Sequence, residues 1–331
     1  MLISCIFQAT QANASVKSGA KCTKVYQKVT TASRSIYQCR RVGKKLVWKY
    51  IGKAPAVKPV VKTIWAEEFN SGNGTLPSDD HWTSLLGDGN EQLGLWRFGT
   101  GELEWNDPEA AATDGKGNLV ISTLKSSGRW TSARYWTQGK VNFQYGKIEA
   151  RIKMPVGSFN FPAFWMLGSN YSPPNRIFGT TSWPMCGEID IAEGLHENTD
   201  FRSTIHANVV DTSTPWNWGG GISAESYLTD GSEQFHTYAL LWKPNMIAFT
   251  VDGHEIVRNT FNGKYVIQTA GGIEIGSFNA EGVWPFNQPF FIILNNAIHA
   301  NASGEPNGTS AKMYVDWIRY SAYQGYGALN P

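Results

Sequence analysis

The chain has 331 residues, is 41% hydrophobic and carries 14 tryptophans, so it can bury a substantial core. No run of about 18 apolar residues occurs, which excludes a transmembrane helix. The net charge of +2 hides a division: residues 1–62 hold 13 of the 29 lysines and arginines and none of the 27 acids, leaving 16 bases against 27 acids in the remainder.

Two regions of opposite sign predict two modules. Residues 1–14 read as the remnant of a secretion signal. Leu2-Ile3-Ser4-Cys5-Ile6-Phe7 is a short apolar stretch, and Gln11-Ala12-Asn13-Ala14 has the small-x-small form of a cleavage site. The protein is therefore expected outside the cell. Residues 15–53 form a small basic module. In an exported chain Cys22 and Cys39 are the natural disulfide pair, and a module of this size needs such a staple. Cys186 is expected to be a free, buried thiol. The basic module could contact anionic cell-wall polymers, another acidic surface or the acidic part of its own chain, or serve as a solvated tether. Residues 54–62, with two prolines and no long periodicity, read as a linker.

From residue 63 to 323 the pattern is nearly all β. Lys147–Met154 alternates polar and apolar residues, as a strand with one wet face does. Tyr238–Trp242 and Ile247–Val251 read as strands around a turn at Pro244-Asn245, and Asp252-Gly253 is a strong hairpin signal. Pro289–Leu294 suits a buried strand, and Lys312–Tyr320 alternates again. Many short strands between turn residues predict one antiparallel β-sandwich, a fold that offers a concave face as a cleft. The cysteines lack metal-site spacing and no serine nucleophile elbow is present, so metal hydrolysis and Ser-His-Asp chemistry lack support.

One run departs from the pattern. Glu188-Ile189-Asp190-Ile191-Ala192-Glu193, between Gly187 and Gly194, places three carboxylates in an otherwise apolar strand. Crowded and desolvated, they cannot all ionise freely, a setting in which one carboxyl stays an acid while another stays charged. Glu188 and Asp190 share a face by the period of two, but Glu193 falls on the other face unless a β-bulge absorbs one residue. Trp165 and Trp183 precede this run. Each could stack on the apolar face of a sugar ring or could be a core residue.

The run with its neighbours, Trp183-Pro184-Met185-Cys186-Gly187-Glu188-Ile189-Asp190-Ile191-Ala192-Glu193, resembles the active-site strand of glycoside hydrolase family 16. The extra residue before the last Glu is similar to the laminarinase branch, the endo-β-1,3-glucanases. Thr131–Arg134, Gln138–Lys140, Tyr145–Arg151, Phe235–Tyr238, Val251–Gly253 and Tyr314–Arg319 follow the family's order of strands, so the likeness spans residues 63–321.

The resemblance implies a concanavalin-like jelly roll and a retaining hydrolase, with Glu188 as nucleophile, Glu193 as general acid/base and Asp190 between them. It implies sugar platforms at Trp183 and Trp165, a histidine near the acid/base at His206, and groove-lining polar positions at Arg134 and Glu102. Trp216-Asn217-Trp218 would belong to a loop over the cleft edge. No cofactor is needed for catalysis, while a structural calcium ion is expected at Glu68 and Asp316. A polysaccharide is the expected partner, β-1,3-glucan first, with agarose, carrageenan, galactan or mixed-linkage glucan as alternatives. A non-catalytic binding sandwich is a further alternative, against which all three carboxylates speak. The protein is expected to work as a monomer without a nucleic-acid partner. Many laminarinases carry Asn-Glu-Leu-Gln where this chain has Gly101-Glu102-Leu103-Glu104, and Gly-Gly where it has residues within Ala297–Ala300, so bond preference can differ.

Overall fold

A computed structural model describes residues 16–31, 35–53, 62–155, 157–175, 179–194, 200–207, 221–227, 234–278 and 284–330. The chain divides into two compact units, Met1–Val60 and Val61–Pro331. The first is a three-stranded antiparallel sheet of Lys28–Thr30, Ser35–Val42 and Lys45–Lys53. Its second and third strands join through a turn at Gly43, whose φ of 59° suits a residue without Cβ. Cys22 and Cys39 form the expected disulfide, with Cα atoms 5.8 Å apart, and both are buried. Tyr37 and Tyr50 meet edge to face across the sheet.

The larger unit is an antiparallel β-sandwich in which two sheets enclose one core. The first sheet runs, edge inward, through Gly221–Tyr227, Asp200–His206, Glu188–Gly194, Asn160–Gly168, Phe290–Ile298, Arg134–Trp136 and Thr83–Leu85. The second includes Met246–Val251, His236–Lys243, Gly146–Lys153, Ser310–Ser321 and Leu119–Ser126 as successive neighbours. The predicted strands are all present, several a residue or two longer than the pattern alone suggests. The hairpin at Asp252-Gly253 forms with both residues at positive φ, the combination that a right-twisted two-residue turn requires.

Alternation decides which side of each strand meets the core. Along Gly146–Lys153, Ile148, Ala150 and Ile152 are fully buried while the residues between them are partly exposed. In the first sheet Phe164, Met166, Ile292 and Leu294 join the same core, and their neighbours Ala163, Trp165, Leu167, Ile293 and Asn295 line a cleft on the opposite face. One sheet thus serves two solvents, the core and the cleft.

The disulfide of the basic unit closes a loop of 17 residues, worth about 3 kcal/mol in the chain-entropy account. Cys39→Ser is therefore expected to collapse the dispersed amide NMR signals of residues 16–53. Retained dispersion would show that side-chain packing alone holds this sheet.

Candidate active site

The acidic strand Glu188–Gly194 lies between Asn160–Gly168 and Asp200–His206, antiparallel to both. Ile189, Ile191 and Ala192 all enter the core. Two consecutive residues facing inward break the alternation, and the ladders record it. Against Asn160–Gly168 the register steps between Phe164↔Ala192 and Trp165↔Asp190, leaving Ile191 unmatched. Against Asp200–His206 it steps between Asp190↔Thr204 and Glu193↔Arg202. This is the bulge that the sequence requires. Beyond it Glu193 returns to the face of Glu188 and Asp190, and all three carboxylates line one cavity of about 270 Å³.

Contacts within the cavity are specific. The Trp183 indole N–H donates to Glu188 Oε2 at 2.9 Å. His206 stands opposite Glu188 in register, its Nε2 3.3 Å from Asp190 Oδ2 and 3.7 Å from Glu188 Oε1. The expectation placed this histidine beside the acid/base. It stands beside Glu188 and Asp190, because the antiparallel ladder sets residue 206 against residue 188, and its charge also reaches Glu193. Trp183 is 43% exposed, so its ring keeps an open face while its N–H is engaged.

Burial pushes all three carboxyl groups above their ordinary range. At Glu188 burial leads and the charge of Asp190 adds to it, while His206 and the Trp183 hydrogen bond favour the ionised form. At Asp190 burial leads and Glu193 adds to it, opposed by the hydrogen bond with Glu188 and by Arg202. At Glu193 burial leads, His206 and Arg202 oppose it, and Glu102 reinforces it. Glu188 is thus the carboxylate with an indole donor of its own, and Glu193 the carboxyl that faces an arginine strand partner, while burial raises Glu188 the more strongly of the two. Those environments suit one nucleophile and one proton donor.

The remaining predicted residues divide. Trp165 lies opposite Asp190, donates from Nε1 to Asn295 Oδ1 at 2.7 Å and lines the cavity, while its buried part packs on an apolar cluster below. Glu102 and Arg134 form a buried ion pair in the cavity wall. Glu68 and Asp316 do not fit a calcium cradle as they stand. Both oxygens of Glu68 accept from Arg319, at 2.7 and 2.8 Å, and Asp316 Oδ2 accepts from Arg151 at 2.6 Å. Each carboxylate already faces a guanidinium, which opposes a cation in the same place. Trp216, Asn217 and Trp218 lie outside the described residues.

Sequence reasoning missed Asn295, Glu104 and Phe98. Asn295 had a signal of the same kind as the acids, a polar pair Asn295-Asn296 inside the apolar run Phe290–Ile298. Phe98, under the Arg134 guanidinium at 4.0 Å, had none.

A sandwich whose cleft gathers buried carboxylates, an indole with one open face and few cationic groups is that of a glycoside hydrolase. The family model of glycosyl hydrolases family 16 matches residues 101–319. The chain belongs to that family. It is 30% identical over 272 residues to a beta-glucanase of Rhodothermus marinus, covering 79% of this chain and 85% of the relative. It is 33% identical over 260 residues to a glucan endo-1,3-beta-glucosidase of Cryptopygus antarcticus, covering 73% and 82%. Its fold is similar to the catalytic domain of an endo-1,3-beta-glucanase (laminarinase) from Thermotoga petrophila, with a TM-score of 0.61, 30% identity, and 80% and 98% of the two chains covered.

Raised carboxyl groups couple stability to pH. The native state holds protons that the unfolded chain releases near the ordinary values of 4.5 for Glu188 and 3.8 for Asp190. The stability they contribute is complete below those values and is lost as pH rises through the folded ones. Glu188→Gln and Asp190→Asn are therefore expected to raise Tm at neutral pH, with the gain shrinking toward pH 4. A pH-independent difference in melting temperature would attribute the effect to packing instead.

Proposed function

We propose that the protein is a secreted, endo-acting hydrolase that cleaves β-1,3-glucan by a retaining double displacement. The observation that carries this reading is the bulged strand, which sets Glu188 and Glu193 on one cleft face with Asp190 between them. In the first step Glu193 protonates the glycosidic oxygen of the leaving chain while Glu188 attacks the anomeric carbon, forming a covalent glycosyl-enzyme. In the second, Glu193 takes a proton from water, whose oxygen displaces Glu188 and restores the original anomer. Retaining enzymes hold the two carboxyl groups about 5–5.5 Å apart, against about 6.5–9.5 Å for inverting ones. The bulge at Ile191-Ala192 favours the shorter spacing, because a regular strand of five steps would hold the Cα atoms about 16 Å apart and the bulge removes about one step.

Charge favours a neutral polymer. Among the described residues the cavity is lined by Glu102, Glu188, Asp190 and Glu193 against the single cation Arg134. A sulfated chain would meet like charges there, whereas a glucan offers hydroxyls to the carboxylates and C–H faces to Trp183 and Trp165. The disulfide supports an oxidising, extracellular setting. We assign the basic unit to contact with anionic cell-wall polymers.

Product analysis on laminarin, lichenan, agarose and carrageenan tests the substrate. Internal cleavage of laminarin is expected, and a failure to cleave it overturns the β-1,3-glucan reading. Glu188→Ala is expected to lower kcat by at least about 10³-fold on every substrate. Glu193→Ala should recover glycosyl-enzyme formation on aryl glycosides whose leaving group needs no proton. Equal losses for both variants on such substrates would dissolve the division of roles. A chain starting at Thr63 should cleave soluble laminarin like the full chain but sediment less with bacterial cell walls. Equal sedimentation would remove the anchoring role from residues 1–62.

A further inference from the structure

Two residues beyond Glu102, which lines the cavity, is a buried carboxyl group with no part in the displacement. Glu104 begins the short strand Glu104–Asn106 and is 2% exposed. Its Oε2 accepts the Ile298 amide at 2.8 Å, and the Asn106 side-chain amide approaches Oε1 at 3.4 Å. Glu102, two residues earlier and therefore on the same side of the extended chain, lies close enough for its charge to act on Glu104. Glu102 accepts from Thr100 Oγ1 at 2.7 Å with one oxygen and from Arg134 Nη2 with the other. Arg134 in turn lies over Phe98 and near Trp165, and its buried Nε has no protein partner among the described residues. Glu104, Glu102 and Arg134 thus form a chain from the packed interior to the cleft surface. At its cleft end Arg134 lines the cavity.

Two carboxylates beside one guanidinium would leave a buried charge of −1. Two carboxyl groups sharing one proton leave none. A neutral Glu104 can donate to Glu102, adding to the Thr100 hydroxyl and the Arg134 guanidinium that already do. We propose that Glu104 is a positioning residue which, as a neutral carboxylic acid, donates a hydrogen bond to Glu102 and so holds the Glu102–Arg134 pair in place to bind a sugar hydroxyl in the cleft. This rests on the reading of the cleft as a polysaccharide site and adds a device to it.

Electrostatics agree in direction. Burial, then the charge of Glu102 and the hydrogen bond to it, keep Glu104 protonated well above its ordinary range, while Arg134 and the Ile298 amide oppose them. The charged side chains acting on Glu104 are Glu102 and Arg134. From the neighbouring strand Arg129–Ser132 it faces Trp130, and from Phe290–Ile298 it meets the Ile298 amide. His299, next after Ile298, accepts the Asn301 amide through Nδ1. Ionisation of Glu104 sets two like charges together, weakens the hold on Glu102 and frees Arg134 to move. Sugar binding then weakens as pH rises, while the chemistry at Glu188 and Glu193 is left in place.

The test compares full-length wild type, Glu104→Gln and Glu104→Ala by KM and kcat across pH on the polysaccharide that the substrate panel shows to be cleaved, and by Tm across pH. A glutamine amide donates to Glu102 at every pH. Glu104→Gln is therefore expected to match the wild-type KM on the acidic side and to abolish its alkaline rise. Glu104→Ala should raise KM about tenfold or more at all pH values, the scale of one lost hydrogen bond to a charged group, with a smaller change in kcat. The melting curves of wild type and Glu104→Gln should diverge as pH rises above the ordinary value of 4.5, the glutamine variant gaining. Coincident KM profiles and parallel melting curves for these two proteins overturn the proposal, as does a Glu104→Gln variant with the same KM as Glu104→Ala. If the wild type leaves laminarin intact, the β-1,3-glucan reading fails by itself. The melting curves, and KM on the polymer that is cleaved, still decide on Glu104.

Discussion

The arrangement of the cleft depends on a two-residue irregularity, the inward turn of both Ile191 and Ala192. A β-strand offers its two faces in strict alternation. The acidic strand has to put apolar side chains into a core shared with the opposite sheet and carboxylates into a cleft on the other side. With five steps from Glu188 to Glu193, strict alternation cannot satisfy both. The bulge resolves the conflict by sending two neighbours inward, and both sides of the strand register it. Ile189, Ile191 and Ala192 are at most 1% exposed, so apolar burial holds the bulge in place. The strand bends where it occurs, and the bend draws the two ends of the acidic run toward each other.

Holding three carboxylates on one partly desolvated face is costly, and the surrounding sheet is built to limit that cost. Donors arrive from separate parts of the chain: the Trp183 indole at Glu188, His206 beside Glu188 and Asp190, and Arg202 across from Glu193. None of them neutralises the site completely. A fully paired carboxylate would be stable but a poor nucleophile, and one with a depressed pKa would be a poor acid. Incomplete compensation suits the proposed division of roles, in which one group is charged and another protonated.

What could be read from the sequence follows the range of the interactions. The acidic run, its need for a bulge, the hairpin at Asp252-Gly253 and the alternating strands are local patterns, and each appears in the fold. The Cys22–Cys39 bridge was legible because only one pairing suited the small module. Contacts between distant segments were legible in residue type but not in geometry. His206 was recognised as a site residue, yet only the ladder between residues 188–194 and 200–206 fixes which carboxylate it touches. Glu68 and Asp316 illustrate the converse. As acids in or beside a strand they suit a calcium ion, but Arg319 and Arg151 lie beside them in the folded sheet, and no local pattern announces that.

Charge separation along the chain gives a last physical constraint. The cleft is acidic for catalytic reasons and the first 62 residues are purely basic. An acidic cleft does not repel a neutral glucan, and a basic sheet does not attract one, so long-range electrostatics contribute little to substrate capture. Capture then falls to short-range contacts, the open face of Trp183 and the few buried donors such as Arg134. These contacts are directional and weak one at a time, and their geometry has to be set before the sugar arrives. This is why the packing behind the cleft wall, from Phe98 beneath the guanidinium to the carboxyl pair of Glu102 and Glu104, matters to recognition although much of it never meets the polymer.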